Sequence, residues 1–195
     1  MQVLWKTLAV AVAVMLGSLS AASAAEQRPA WPIDHVEGKA GAPNTIIEYF
    51  SLGCPHCADF HAETWPKLKA EWVDTGKARM IFRDYPLDGR ALAAAMVAQC
   101  SGSRYLAYVD AYFRTQGTWE QAQDGLDAIK TIARLGGMTD AEVEACWKRE
   151  DLIKQINDRK NEAAARGIDS TPTFLINGKT VTGAVPYADI EQALK

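Results

Sequence analysis

Cys54-Pro55-His56-Cys57 follows an apolar, β-rich run, Thr45-Ile46-Ile47-Glu48-Tyr49-Phe50, and helical spacing begins behind it. That junction constrains the fold more than any other stretch. A short run of β-formers reads as a buried strand. From Cys57 onward, Phe60, Trp65, Leu68 and Trp72 are spaced for one apolar helix face, and Asp74-Thr75-Gly76 stops the pattern. Two cysteines three apart can close a tight disulfide. If the first also opens the helix, its sulfur sits where unpaired backbone N–H groups favour an anion. The thiolate is the reactive form of cysteine, so this is a place for a redox nucleophile.

Lys77 to Phe82 alternates as a second strand, and Tyr85-Pro86 turns the chain. Residues 88–166 contain no proline and are rich in Ala, Leu, Gln, Glu and Lys, the good helix formers. Gly102, Gly117 and Gly136-Gly137 are expected to divide this block into several helices. Thr139-Asp140-Ala141-Glu142 has the pattern of a capping box with an acidic first turn. After Gly167, Thr173 to Ile176, Asn177-Gly178 and Lys179 to Thr182 spell a β-hairpin. A short helix from Pro186 or Tyr187 to Leu194 closes the chain. Residues 26–44, with three prolines and two glycines, read as an extended lead-in with turns.

The N-terminus carries Lys6, an apolar stretch from Leu8 to Leu16, and small residues ending in Ala22-Ser23-Ala24. This is the pattern of a secretory signal peptide over residues 1–24. The apolar stretch is short of the roughly 20 residues a membrane span needs, although an uncleaved anchor is the alternative. Export leaves roughly 170 residues, enough for one domain with a sizeable core. The whole chain has a net charge of −3, and its basic residues are scattered. No basic cluster points to nucleic acid or anionic lipid.

The 4 cysteines all follow the signal. In an oxidising compartment an even count favours pairing. Three connectivities exist; the C-x-x-C spacing favours Cys54–Cys57, which leaves Cys100 for Cys146 as a structural disulfide. Two buried free thiols are the alternative for the latter pair. The remote reading from another class is a metal-binding protein using Cys54, His56 and Cys57, with His61 nearby. No second C-x-x-C or His cluster completes such a site, so no metal is expected.

These elements and motifs resemble the DsbA-like thiol:disulfide oxidoreductases. The resemblance rests on Glu48-Tyr49-Phe50-Ser51 leading into Cys54-Pro55-His56-Cys57, on Phe60 behind it, and on Thr171-Pro172-Thr173. It implies a thioredoxin fold of α/β class with an inserted all-helical subdomain: residues 25–87 and 167–195 form the thioredoxin part, 88–166 the insertion. It also implies that Cys54 is the nucleophile and Cys57 the resolving partner, with no cofactor beyond their disulfide. Pro55 would stiffen the first helical turn, and His56 would support the thiolate by hydrogen bond or charge. Thr171-Pro172 would form a cis peptide facing the sulfurs, where an extended substrate pairs with the backbone. Glu48 would lie buried under the site and relay a proton.

The implied activity is oxidation of dithiols in exported proteins to disulfides, in the periplasm, with a membrane-bound, quinone-linked reoxidase as partner. Isomerase or reductase activity is the alternative. About 20 residues between cleavage site and first strand, without a heptad pattern, favour a monomer. Two residues depart from the family pattern. His61 stands where some family oxidases carry an acid, and Gly53 replaces a large apolar residue.

Overall fold

The computed structural model describes residues 33–195; the expected signal peptide and its cleavage site lie outside the described residues. Five strands form one sheet: β1 (His35–Glu37), β2 (Asn44–Phe50), β3 (Ala78–Asp84), β4 (Thr173–Ile176) and β5 (Lys179–Thr182), in the order β1-β3-β2-β4-β5. β2 and β3 pair in parallel and every other neighbouring pair is antiparallel. With helices on both faces, this is the thioredoxin fold with a helical insertion.

The parallel pair needs a crossover. It is supplied by a helical run made of α1 (Pro55–Asp59), a π-helical stretch (Phe60–Thr64), α2 (Trp65–Leu68) and a second π-helical stretch (Lys69–Val73). Pro66 lies in the first turn of α2, and Trp65 N–H bonds to the Phe60 carbonyl across the wider loop. A proline offers no N–H to an α-helical ladder, so a π turn beside it is a natural accommodation.

The insertion consists of α3 (Gly89–Cys100), α4 (Tyr105–Arg114), α5 (Gln116–Trp119), α6 (Gly125–Leu135), α7 (Asp140–Trp147) and α8 (Glu150–Ala164). It keeps a small cluster of its own, Met96, Cys146, Leu152 and Ile156, and shares the larger one with the sheet. Phe50, Phe60 and Phe82 of the thioredoxin part pack in one cluster with Tyr108, Tyr112, Phe113 and Trp119 of the insertion. α3 explains the closeness: six of its buried residues are Ala or Val, small enough to let helices approach. On the other sheet face Ile47, Tyr49, Ile81 and Tyr85 meet Ala163 and Ile168. The alternation along β2 therefore puts Glu48 on the face of Ile46 and Phe50.

Several local expectations coincide with the structure. Thr139 and Glu142 form the full capping box. Asn177 and Gly178, with φ of 49° and 85°, make the two-residue hairpin turn. α9 (Tyr187–Leu194) closes the chain.

Other expectations are corrected. The lead-in contains β1, which pairs antiparallel with β3 from His35 opposite Phe82 to Glu37 opposite Met80. Three residues are too few to show a periodicity. β1 is held by side chains instead: His35 stacks on Tyr105 with ring centroids 3.4 Å apart. The adjacent Asp34 joins Arg83 and Arg159 in buried ion pairs, each at 3.0 Å. Gly117 lies inside the single turn of α5; the breaks fall on either side of it, at Thr115 and between Trp119 and Gly125. α7 ends at Trp147 without any glycine.

Candidate active site

β2 ends at Phe50, and a tight turn through Ser51 to Gly53 delivers Cys54 to the N-cap of α1. Gly53 permits a close approach: a Cβ there would stand 2.5 Å from Glu120 Oε1. Cys54 has extended backbone angles (φ −88°, ψ 117°), so its side chain lies over the open end of the helix. Pro55 occupies the first turn, where the missing N–H has no ladder partner to lose. Both cysteines are thiols in this structure and both are buried.

Their positions on one helical turn make the two sulfurs chemically unlike. The Cys57 thiol donates to Cys54, and with the backbone N–H groups of Cys57 and His56 it brings the Cys54 thiol down to about 5 against the cost of burial. Cys57 is wholly buried, and burial, with Cys54 and Glu48 adding to it, pushes its thiol strongly up. At neutral pH the site holds one thiolate and one thiol, with the proton of the inner sulfur shared toward the outer.

The Thr171–Pro172 peptide is cis. It brings the Thr171 carbonyl 3.3 Å from Cys54 Sγ, across 117 residues of sequence. The buried Thr171 hydroxyl also favours the Cys54 thiolate. Thr171 and Pro172 immediately precede β4, so an extended chain laid beside them would run past Cys54.

Glu48 is fully buried beneath this arrangement, and burial raises its carboxyl. Its Oε2 lies 3.1 Å from His61 Nε2, on the crossover helix. His56 is placed otherwise than expected. Its imidazole is 71% exposed and lies 3.6 Å from Asp59, one turn on. What reaches the sulfur is its backbone N–H, because a residue in the first helical turn points its amide at the N-cap and its side chain outward. Cys100 and Cys146 form a disulfide far along the chain, joining the end of α3 to α7. Among the described residues no group of three or more His, Cys, Asp or Glu side chains is placed to hold a metal ion.

Two contributors escaped the sequence. Gln116, in α5, donates from Nε2 to the Leu52 carbonyl (2.6 Å) and the Cys54 carbonyl (3.1 Å), clamping the cysteine loop to the insertion. His61 stands out in the sequence as a departure from a family pattern and as a neighbour of the metal-binding alternative, and nothing there connects it to Glu48. Its helical spacing from Cys57 was the one available signal, since residues four apart share a helix face.

Comparison with known proteins agrees with this geometry. The family described as "Thioredoxin" matches residues 32–195. A "Putative protein-disulfide oxidoreductase" of Rickettsia bellii is 28% identical over 148 residues, covering 74% of this chain and 57% of that protein. The chain thus spans little more than half the length of that relative. "Disulfide bond formation protein D" of Bacillus subtilis is 24% identical over 169 residues, covering 82% of this chain and 75% of its own. Among solved structures, Wolbachia pipientis alpha-DsbA1 superposes with a TM-score of 0.77 at 30% identity, covering 84% of this chain and 90% of that one.

Proposed function

The chain belongs to the thioredoxin family, among its DsbA-like disulfide oxidoreductases, and from that membership we propose that it oxidises dithiols of exported proteins in the periplasm. The observation that carries this reading is the split between the cysteines: Cys54 held near 5 and Cys57 held up by burial. In the oxidised enzyme a substrate thiolate attacks Cys54 Sγ. A substrate–Cys54 disulfide forms, the Cys54–Cys57 bond breaks, and Cys57 Sγ leaves with the electron pair and takes a proton. A second substrate thiolate then attacks the substrate sulfur of the mixed disulfide. The product disulfide departs and Cys54 is released as its thiolate.

A stable Cys54 thiolate is a good leaving group and favours the reduced enzyme, which makes the disulfide oxidising. Against a thiol titrating near 7, as in thioredoxin, one near 5 favours the reduced form at pH 7 by about 2 kcal/mol. That is about 50 mV. Cys54 is thus the sulfur that substrate attacks, and the nucleophile in the reverse direction; Cys57 is the resolving thiol, with Pro55 and the backbone of His56 shaping the turn. Glu48 exchanges the proton of Cys57, and Thr171-Pro172 aligns the substrate chain. The Cys54–Cys57 disulfide is the redox group. Regeneration falls to a membrane-bound, quinone-linked reoxidase, and the enzyme acts as a monomer; both are carried over from the family resemblance and the short lead-in.

The test is the reduction potential of Cys54–Cys57, by equilibration with glutathione. The thiolate alone places it about 50 mV above thioredoxin's value of about −270 mV, and an oxidase lies further toward the DsbA value of about −120 mV. A potential near −270 mV would overturn the oxidising direction and leave a reductase.

A further inference from the structure

Cys57 cannot exchange its proton with bulk water: none of its surface is exposed. Glu48, its carboxyl neighbour, is equally enclosed, and its Oε1 has no hydrogen-bond partner in the protein. The route from Glu48 outward is what the site still lacks.

His61 occupies that route. Its Nε2 lies 3.1 Å from Glu48 Oε2, a spacing that suits either the carboxyl O–H donating to a neutral ring or the ring N–H donating to a carboxylate. Four aromatic rings surround the imidazole: Phe113, Phe60, Phe82 and Phe50, at centroid distances of 4.5 to 5.7 Å. None of them can carry a proton. Beyond them the same imidazole lines an open groove of about 610 Å³ between the crossover helix and α4. Asp59 and Lys69 face the groove from the helix of His61, and Asp110 and Arg114 from α4. On the inner side the titratable neighbours are Glu48 and, through it, Cys57 and Cys54.

We propose that His61 is a positioning residue of the thiol–disulfide reaction: it fixes the Glu48 carboxyl and passes that group's proton between the buried site and the groove. This rests on the disulfide-exchange reading above and deepens it. When Cys57 Sγ leaves with its electron pair, the Glu48 carboxyl gives it a proton. The carboxylate accepts the Nε2 proton of His61 as Nδ1 takes one from the groove, so the ring ends neutral. One proton enters per Cys57 released, and the steps reverse on reoxidation. Both the charge and the hydrogen bond of His61 oppose the upward push of burial on Glu48, which keeps the carboxyl able to change state.

The experiment follows oxidation of a model dithiol peptide by the oxidised full chain in stopped flow between pH 5 and 8, for the wild type, His61→Gln and His61→Ala. Glutamine keeps a hydrogen bond to Glu48 but does not shuttle a proton. His61→Gln is expected to slow release of Cys57 by about a hundred-fold, the lower end of what a positioned proton-transfer group contributes. Its pH profile should flatten, while the thiolate absorbance of Cys54 titrates as in the wild type. In His61→Ala, added imidazole should restore most of the lost rate by entering through the groove. A His61→Gln rate within two-fold of wild type, or a slow, folded His61→Ala that imidazole leaves unchanged, would show that the ring only packs. A wild-type protein inert toward the peptide would instead sink the disulfide-exchange reading itself.

Discussion

The chain carries two cysteine pairs, and the fold treats them in opposite ways. Cys54 and Cys57 share one turn at the mouth of α1, with backbone N–H groups on one sulfur and a buried carboxyl near the other. Cys100 and Cys146 lie 46 residues apart at the ends of two packed helices. The first pair spans too short a loop to constrain the unfolded chain much, so its value is chemical. The second closes a long loop between two packed helices, so its value is entropic. Where a cysteine stands on the backbone, rather than the residue type, decides which kind it is.

The largest effect should come from removing the outer sulfur. Cys54→Ser is expected to abolish dithiol oxidation, measured as peptide disulfide formed per enzyme. Cys146→Ser, in contrast, should keep most of the rate at temperatures where the fold persists. Equal losses in both would erase the distinction between the pairs.

The second effect is on stability. Replacing Cys100 and Cys146 together by alanine should lower unfolding stability by about 3–4 kcal/mol, the loop-entropy value for a closure of this length. Urea unfolding measures it. The Cys54–Cys57 potential, measured on the same protein at a temperature where it is folded, should stay put. A shift of that potential would mean that the insertion transmits strain to the cysteine loop, through the clamp at Gln116 or the shared aromatic core.

This division explains what could be read from the sequence. The strand before Cys54, the helix after it, the hairpin at Asn177-Gly178 and the capping box at Thr139 are local patterns, each specified within a few residues. They suffice to place both cysteine pairs. Interactions over longer separations were not readable. β1 is three residues held by a stacked histidine and buried ion pairs. The Glu48–His61 contact joins a strand to a helix across 13 positions, and Gln116 reaches the cysteine loop across more than sixty. The placement of the His56 ring is out of the sequence's reach for a different reason. Its sequence neighbours suggested a side-chain role, but helix geometry sends the imidazole to solvent and leaves only the amide at the sulfur.

The smallest effect is the most discriminating, because it joins the two regions. Gln116 is the insertion's hydrogen-bonded hold on the cysteine loop, through the carbonyls of Leu52 and Cys54. Gln116→Ala strands the Leu52 carbonyl, while the Cys54 carbonyl keeps the N–H groups of Cys57 and Ala58, at a cost of about 1–2 kcal/mol. A loosened loop aligns its N–H donors less well with Cys54 Sγ, so the thiol midpoint should rise from about 5 by a fraction of a unit. Thiolate absorbance against pH reads this directly. The sign carries into stability. Cys54 titrates lower folded than unfolded, so it stabilises the reduced protein fully above the unfolded thiol range near 8.5, and that contribution is lost as pH falls through about 5. In Gln116→Ala the loss should finish at a slightly higher pH. An unchanged midpoint alongside the lost stability would mean that Gln116 holds the insertion to the loop without tuning the sulfur, leaving the helix start alone to set the chemistry.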